Sequence, residues 1–295
     1  ELLSQPDVFA DISNAHIFGG RQVIQPDELE CLSRGMIYRS PDGKLQQTIS
    51  DVRMRYKKGS IDIAIIHAEN QTGICNTMPV RDLGYIFSNY HEQIKELKRE
   101  NRKNGKYYYT KEIGDDQRLV PVITFILYYG KKAWKKPLTI MDLLNLDEKE
   151  KEVLAPFLLN HQIHVIHLRD QDSSMIDHYH SDFWHIAKYM SSCGDGHKRK
   201  KFVQDTTRKI SHRGELLDVL YALSGDKRYQ MIKENIKQKE GDVNMCILAE
   251  ELEQKGIDQV NQLILQLAQD GRTEDIILSA KDKGFQKKLM KEYGI

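Results

Sequence analysis

The amino-acid sequence predicts an α/β fold, with a mixed sheet flanked by helices and an all-helical C-terminal region after it. Two observations predict the sheet. Two strand-like segments at 48–56 and 61–68 are separated by a short polar turn, and the most apolar run of the chain lies at 120–129. The C-terminal region follows from a third, since from Ser174 onward one helical pattern succeeds another between short breaks. We therefore expect two domains, at 1–172 and 173–295.

The N-terminal segment is predicted to be a helix from Pro6 to Phe18, because its apolar residues form one broad face and two glycines follow it. Gln22 to Leu32 is expected to be irregular. Gly35 to Arg39 is expected to form a short strand ahead of a turn. These elements lead into the central hairpin.

The hairpin is predicted from the arms Thr48–Tyr56 and Ile61–Ala68, joined by a turn over Lys57–Ser60. The second arm is apolar on both faces, as in a strand buried in the middle of a sheet. Val120–Tyr129 has the same character and is too short for a membrane span.

Helices are expected around these strands. Pro79 opens a long helix whose apolar residues recur at spacings of three and four. The segment 147–159 is predicted to be helical and 161–168 to be a last strand. Breaks between the C-terminal helices are expected at 193–196, 224–226, Gly241, Gly256 and Gly271.

Composition leaves the function open. Hydrophobic residues make up 40% and charged residues 29% of 295 residues, which is typical of a globular protein, and the net charge is +1. That balance neither requires nor excludes a nucleic-acid partner. The four cysteines form no CxxC pair, no apolar run could span a membrane and no signal peptide is visible. A reducing cytoplasm is the expected location.

The end of the second hairpin arm contains the candidate catalytic and metal-binding residues. Side chains alternate along a strand, so His67, Glu69 and Gln71 share one face. A carboxylate at the end of a buried strand needs a partner. A cation such as Mg²⁺ is one such partner, and it usually binds one or two carboxylates together with water and phosphate.

A second carboxylate should therefore lie nearby, and Asp51 on the first hairpin arm is the best candidate. With the turn at 57–60, however, Asp51 faces Ile66, and Glu69 lies roughly 10 Å further along the strand, at ~3.3 Å per residue. A β-bulge or splayed strand ends must shorten that distance.

These residues resemble a known family. Asp51-Val52, then the Glu-Asn-Gln-Thr block at 69–72, Met78-Pro79-Val80-Arg81 and Gly84-Tyr85 are similar to the recombination-promoting nucleases and related transposases of the PD-(D/E)XK superfamily. Weaker likenesses lie at 9–11, 22–26, 120–130, 271–272 and 291–295. The resemblance implies a restriction-endonuclease-like core and a metal-dependent endonuclease, or a transposase derived from one, that hydrolyses phosphodiester bonds in DNA.

The resemblance also implies residue roles. Asp51 and Glu69 would bind Mg²⁺ or another divalent cation, and Gln71 would occupy the position where the wider superfamily has lysine. Glutamine can only form hydrogen bonds to a water. The alternative is therefore a weak or inactive relative that acts as a DNA-binding or protein-interaction module. Asp11 matches a position where related folds place an additional site residue.

Each assignment has a structural alternative. Glu69 suits ordinary hydrogen bonds at a strand end, Asp51 suits a surface acid near a turn, Asp11 suits an exposed helix position and His67 suits packing. The family resemblance favours the catalytic interpretation for Glu69. A homo-oligomer is a further open expectation.

Two other clusters contain candidate binding residues. An aromatic residue among lysines is suited to phosphate contact and base stacking, and equally to a solvated loop. These DNA-binding candidates are Lys131, Lys132, Trp134, Lys135 and Lys136. Six histidines between His161 and His185 suggest zinc only weakly, because no cysteine pair completes a set. A second basic cluster lies at 197–201, with Arg208 and Lys209 after it.

Overall fold

A computed structural model describes residues 1–33, 51–106, 113–193 and 208–295, together with the backbone of 35–39 and 45–49. The chain divides into two compact units, the first ending at Cys193 and the second comprising the C-terminal part. The division therefore falls later than the predicted boundary between 172 and 173. The physical reason is Asp11, on the first helix, whose carboxylate accepts hydrogen bonds from the backbone of His180 and Ser181 and ties that segment to the first unit.

The first unit contains a five-stranded mixed sheet in the order β1-β4-β5-β6-β7. β1, β4 and β5 are antiparallel, whereas β5, β6 and β7 are parallel. The strands are β1 (Leu29–Cys31), β4 (Val52–Lys58), β5 (Ile61–Gln71), β6 (Val122–Tyr128) and β7 (Val165–His167). A separate antiparallel pair is formed by β2 (Gly35–Arg39) and β3 (Leu45–Ile49).

Helices cover both faces of this sheet. On one face lies α1 (Pro6–Ile17), whose Phe9 ring is 6.1 Å from that of Phe125. On the other lies α2 (Met78–Lys103), whose Asn89 contacts His67 at 2.7 Å. The shorter helices of this unit are α3 (Glu148–Leu154), α4 (Ser173–Ile176) and α5 (Phe183–Ser191).

The described part of the second unit is helical throughout, as predicted. It comprises α6 (Arg213–Ser224), α7 (Arg228–Gln238), α8 (Met245–Gln269), α9 (Thr273–Lys281) and α10 (Lys283–Glu292). Leu263, Leu267 and Leu289 form a small core between the last three helices. No helix in the described part of the chain is both long and apolar enough to cross a membrane.

The α/β class, the mixed sheet and the helical C-terminal region are confirmed, with local differences. The predicted first hairpin arm is divided between β3 and β4, and the segment expected to be irregular contains β1. The predicted break at Gly256 is wrong, because α8 continues through it. Buried leucines elsewhere on α8 offset the cost of about 1 kcal/mol that a glycine brings to a helix. The expected break at 193–196 lies largely outside the described residues.

Candidate active site

The hairpin of β4 and β5 places the two predicted carboxylates opposite each other. Gly59 and Ser60 form a turn of two residues, with Gly59 at φ 63°, so Lys58 pairs with Ile61. A β-bulge after Tyr56 then shifts the register by one further residue. Both effects move the pairing toward the end of β5.

The resulting register ends with Val52 opposite Ala68. Continued by one residue, it brings Asp51 opposite Glu69, rather than opposite Ile66 as the longer turn predicted. Of the two devices expected to shorten the distance, a bulge or splayed strand ends, the bulge is present between Tyr56 and Lys57 and contributes one residue of the shift, while the shorter turn contributes two. Glu69 interacts electrostatically with the Asp51 carboxylate.

Asp51 is half-buried and is held by the residue that follows Glu69. The backbone N–H of Asn70 donates to Asp51 Oδ2 at 2.7 Å, and the Asn70 amide donates to the same oxygen at 3.1 Å. Asn70 Oδ1 in turn accepts from the Tyr129 hydroxyl at 3.0 Å. Burial and then the Asp51 charge raise the pKa of Tyr129, so this phenol stays a neutral donor. Asp51 therefore has a fixed orientation.

Glu69 is buried, with 7% of its surface exposed, and its two oxygens differ. Oε1 accepts from Arg81 Nη2 at 2.7 Å, from the Tyr85 hydroxyl at 3.2 Å and from Gln71 Nε2 at 3.3 Å. Oε2 is buried and has no hydrogen-bond partner. Burial, followed by the charge of Asp51, raises the pKa of Glu69, although Arg81, Tyr85 and the backbone N–H of Asp51 act in the opposite direction.

An unpartnered carboxylate oxygen beside a second carboxylate fits a divalent cation. The described residues contain no group of three or more histidine, cysteine or acidic side chains placed to hold a metal ion. Asp51 and Glu69 are the two carboxylates here that could hold such an ion, with water completing its coordination, as is common for Mg²⁺. Gln71 is half-buried and points at the same site.

Arg81 and Tyr85 are site residues to which the sequence pattern assigned no role. They lie four residues apart on the first turns of α2, so both reach Glu69 from one face of the helix. The signal was available. Both residues belong to the segments that carry the family resemblance, and their spacing matches one helical turn.

His67 belongs to the packing between the sheet and α2. It is 2% exposed, its Nε2 lies 2.7 Å from the Asn89 amide nitrogen, and its ring stacks on Tyr85 at 6.1 Å. Burial and then the charge of Arg53 lower its pKa to about 4, so the imidazole is neutral at pH 7. This is the structural alternative proposed for it.

Asp11 is a buried helix residue, not an exposed one, and its contacts are with the segment before α5. It is 4% exposed and accepts hydrogen bonds from the backbone N–H groups of His180 and Ser181 and from the Ser181 hydroxyl, at 2.7–2.9 Å. Its carboxylate is fully used in ordering the segment before α5.

Trp134 is corrected from a base-stacking candidate to a core residue. It is 2% exposed, its ring packs edge-on against Tyr128 at 5.2 Å, and its indole N–H donates to the Pro137 carbonyl. A buried ring cannot stack on a base. The four lysines around it are exposed, and one of them, Lys136, pairs with Asp142 at 3.2 Å. The second basic cluster at 197–201 lies outside the described residues.

The histidines between 161 and 185 serve separate contacts. His161 Nε2 is 2.6 Å from the buried carboxylate of Asp82, which also accepts from Thr124. His167 lies 3.6 Å from Asp170. Within the described ranges these side chains do not converge on a common metal position.

Comparison of the chain with protein-family models, with curated proteins and with solved structures finds no match.

Proposed function

We propose that this protein is a metal-dependent endonuclease that hydrolyses phosphodiester bonds in DNA, on a restriction-endonuclease-like core. The observation that carries the proposal is the position of Asp51, one residue beyond the last β4–β5 pair and level with Glu69, whose Oε2 is buried and unpartnered. The family resemblance around 51, 69–72 and 78–85 supports the same assignment.

Asp51 and Glu69 would hold Mg²⁺ or a similar ion. Such an ion supplies a bound water of lowered pKa and stabilises negative charge on a phosphate. The hydrogen bonds from Asn70 keep Asp51 oriented before the ion arrives, which reduces the cost of binding. Gln71 can orient a water by hydrogen bonding, but it adds no charge.

A second candidate is a weak or inactive relative that binds DNA or protein without cleaving it. The observation that favours it is Arg81, whose guanidinium already neutralises Glu69 at 2.7 Å in place of a metal ion. An endonuclease and a transposase derived from one would both use the carboxylate pair. The first experiment therefore tests whether the protein cleaves DNA, which both activities require.

The test is cleavage of supercoiled plasmid DNA with Mg²⁺, Mn²⁺ or Ca²⁺, run beside the variants Asp51→Ala and Glu69→Ala. We expect cleavage with Mg²⁺ or Mn²⁺, none in excess chelator, and a loss of about 100-fold or more in either variant, since several kcal/mol of charge stabilisation disappear. Asp62→Asn, also on β5 but paired with Arg55, is the matched control.

Cleavage that survives both substitutions would rule out this site. Absence of cleavage with every metal, in protein that still binds DNA, would favour the binding module.

A further inference from the structure

Arg81 occupies the same carboxylate that the proposed cation would use. Its Nη2 donates to Glu69 Oε1 at 2.7 Å and to the Tyr85 hydroxyl at 3.0 Å. Nη1 lies 3.8 Å from the Cys75 sulfur. The Arg81 side chain is 43% exposed, whereas that of Glu69 is 8% exposed. The guanidinium is therefore at the mouth of the site, with room to move, and the carboxylate is fixed at its base.

The position of Arg81 is unfavourable for the helix that carries it. It lies at the start of α2, where the helix dipole disfavours a positive charge, and that first turn contains no acidic residue to compensate. The ion pair with Glu69 offsets this cost. A basic residue at such a position is suited to binding an anion, because the helix N-terminus and the guanidinium both attract negative charge.

A divalent cation and the Arg81 guanidinium would compete for the carboxylate of Glu69. The Arg81 guanidinium keeps its charge at any ordinary pH, so a divalent ion bound between Asp51 and Glu69 would face a positive group already on Oε1. Displacement of Arg81 by the ion would leave its forked donors available. Such a fork matches two oxygens of a phosphate.

We propose that Arg81 is the phosphate-binding residue of this site, paired with Glu69 in the free protein and transferred to the DNA phosphate when the cation binds. The proposal rests on the proposed function for the identity of the ligand. Tyr85 is a positioning residue in this exchange, because its hydroxyl contacts both Arg81 and Glu69 Oε1. The exchange couples cation binding to substrate binding at one side chain.

The exchange predicts effects of opposite sign in Arg81→Met. Without the competing guanidinium, Mn²⁺ should bind the protein alone about 10-fold more tightly, as measured by calorimetry. Binding of a short DNA duplex in Ca²⁺, measured by fluorescence anisotropy, should weaken about 10-fold, and the slope of log affinity against log salt should fall by about 1. A purely structural role for Arg81 would weaken both.

Arg102→Met is the matched control, since Arg102 is exposed near the other end of α2, roughly 30 Å away at ~1.5 Å per residue. It should change neither affinity. Arg81→Lys keeps the charge but loses the fork, so it should restore part of the DNA affinity, and circular dichroism verifies that both variants fold.

Unchanged Mn²⁺ affinity in Arg81→Met would overturn the exchange with Glu69, and unchanged DNA affinity would overturn the phosphate role. Neither measurement requires cleavage. If the unaltered protein cleaves DNA but Arg81→Met shows neither effect, the inference fails and the endonuclease stands. If nothing is cleaved but both effects appear, the endonuclease fails and Arg81 retains its binding role.

Discussion

The carboxylate of Glu69 is close enough to that of Asp51, which precedes the neighbouring strand, for the two negative charges to repel each other. Burial of Glu69, followed by this repulsion, raises its pKa from the ordinary value of 4.5. The folded protein thus holds this proton more tightly than the unfolded chain. The contribution of Glu69 to the free energy of unfolding therefore falls as pH rises from 4.5 through the raised pKa.

Glu69→Gln should consequently increase thermal stability at pH 7–8 in the absence of metal, because it removes a buried charge that is costly there. If Mn²⁺ binds at this site, it should raise the Tm of the unaltered protein, and Glu69→Gln should remove that rise. Differential scanning fluorimetry at pH 5 and pH 8, with and without Mn²⁺, measures both. Asp62→Asn is the control, and a variant less stable than the unaltered protein at pH 8 would contradict the argument.

The second prediction concerns His67, at the interface of β5 with α2, which should make the stability of the protein depend on pH. Its pKa is lowered to about 4 by burial and then by Arg53, whereas the hydrogen bond with Asn89 acts in the opposite direction. Between pH 6.5 and about 4 the unfolded chain binds a proton that the folded protein does not. As pH falls from 6.5 to about 4, the free energy of unfolding should therefore decrease, and His67 should account for about 3 kcal/mol of that decrease.

Urea unfolding at pH 7, 5.5 and 4 tests the effect. His67→Gln should be less stable at pH 7, because it loses the stacking on Tyr85, yet its stability should depend less steeply on pH. The pKa of His16 is also lowered to about 4, by burial and then by His178. His16 should therefore still make the stability of the His67→Gln variant depend on pH. Equal slopes for the variant and the unaltered protein would refute the assignment to His67.

Asp11→Ala should destabilise the first unit without altering metal binding. The substitution leaves the N–H groups of His180 and Ser181 without this acceptor, and because both hydrogen bonds are only partly buried, the cost is about 1–2 kcal/mol in total. Chemical unfolding and Mn²⁺ calorimetry separate this from a site role. Asp27→Ala, at an exposed position, is the control. Loss of Mn²⁺ affinity in folded Asp11→Ala protein would return Asp11 to the site.

The sequence predicted the fold well where periodicity was strong. The apolar run at 120–129 contains β6, and the stripe after Pro79 belongs to α2. The exact register of the hairpin could not be predicted from the sequence. The length of its turn and the position of the bulge after Tyr56 depend on packing against the neighbouring strands. The distance deduced between Asp51 and Glu69 came mostly from the predicted four-residue turn, because the observed two-residue turn removes two residues of the offset and the bulge removes the third.

The site was predicted less completely because side-chain burial depends on tertiary contacts. Trp134 lies among lysines in the sequence, yet folding places it in a core with Tyr128. Arg81 follows Glu69 by 12 residues and approaches it only because α2 returns across the sheet. No local pattern indicates the burial of Trp134, and the helical spacing of Arg81 and Tyr85 places them on one face of α2 without showing that this face meets Glu69.

The last prediction concerns the segment around Trp134. Its exposed lysines should affect DNA affinity, whereas the buried Trp134 should affect only stability. Replacing Lys131, Lys132 and Lys135 with glutamine should weaken DNA binding and reduce the slope of log affinity against log salt by about 0.9 for each phosphate that the variant no longer neutralises. Trp134→Phe should leave DNA affinity unchanged, because the ring is buried against Tyr128, but Trp134→Ala should cost about 3–5 kcal/mol of stability. Anisotropy titrations over a range of salt, beside urea unfolding, measure both. A salt slope that stays constant in the triple variant would exclude this loop from the DNA interface, and weaker DNA binding by folded Trp134→Phe would restore the stacking role.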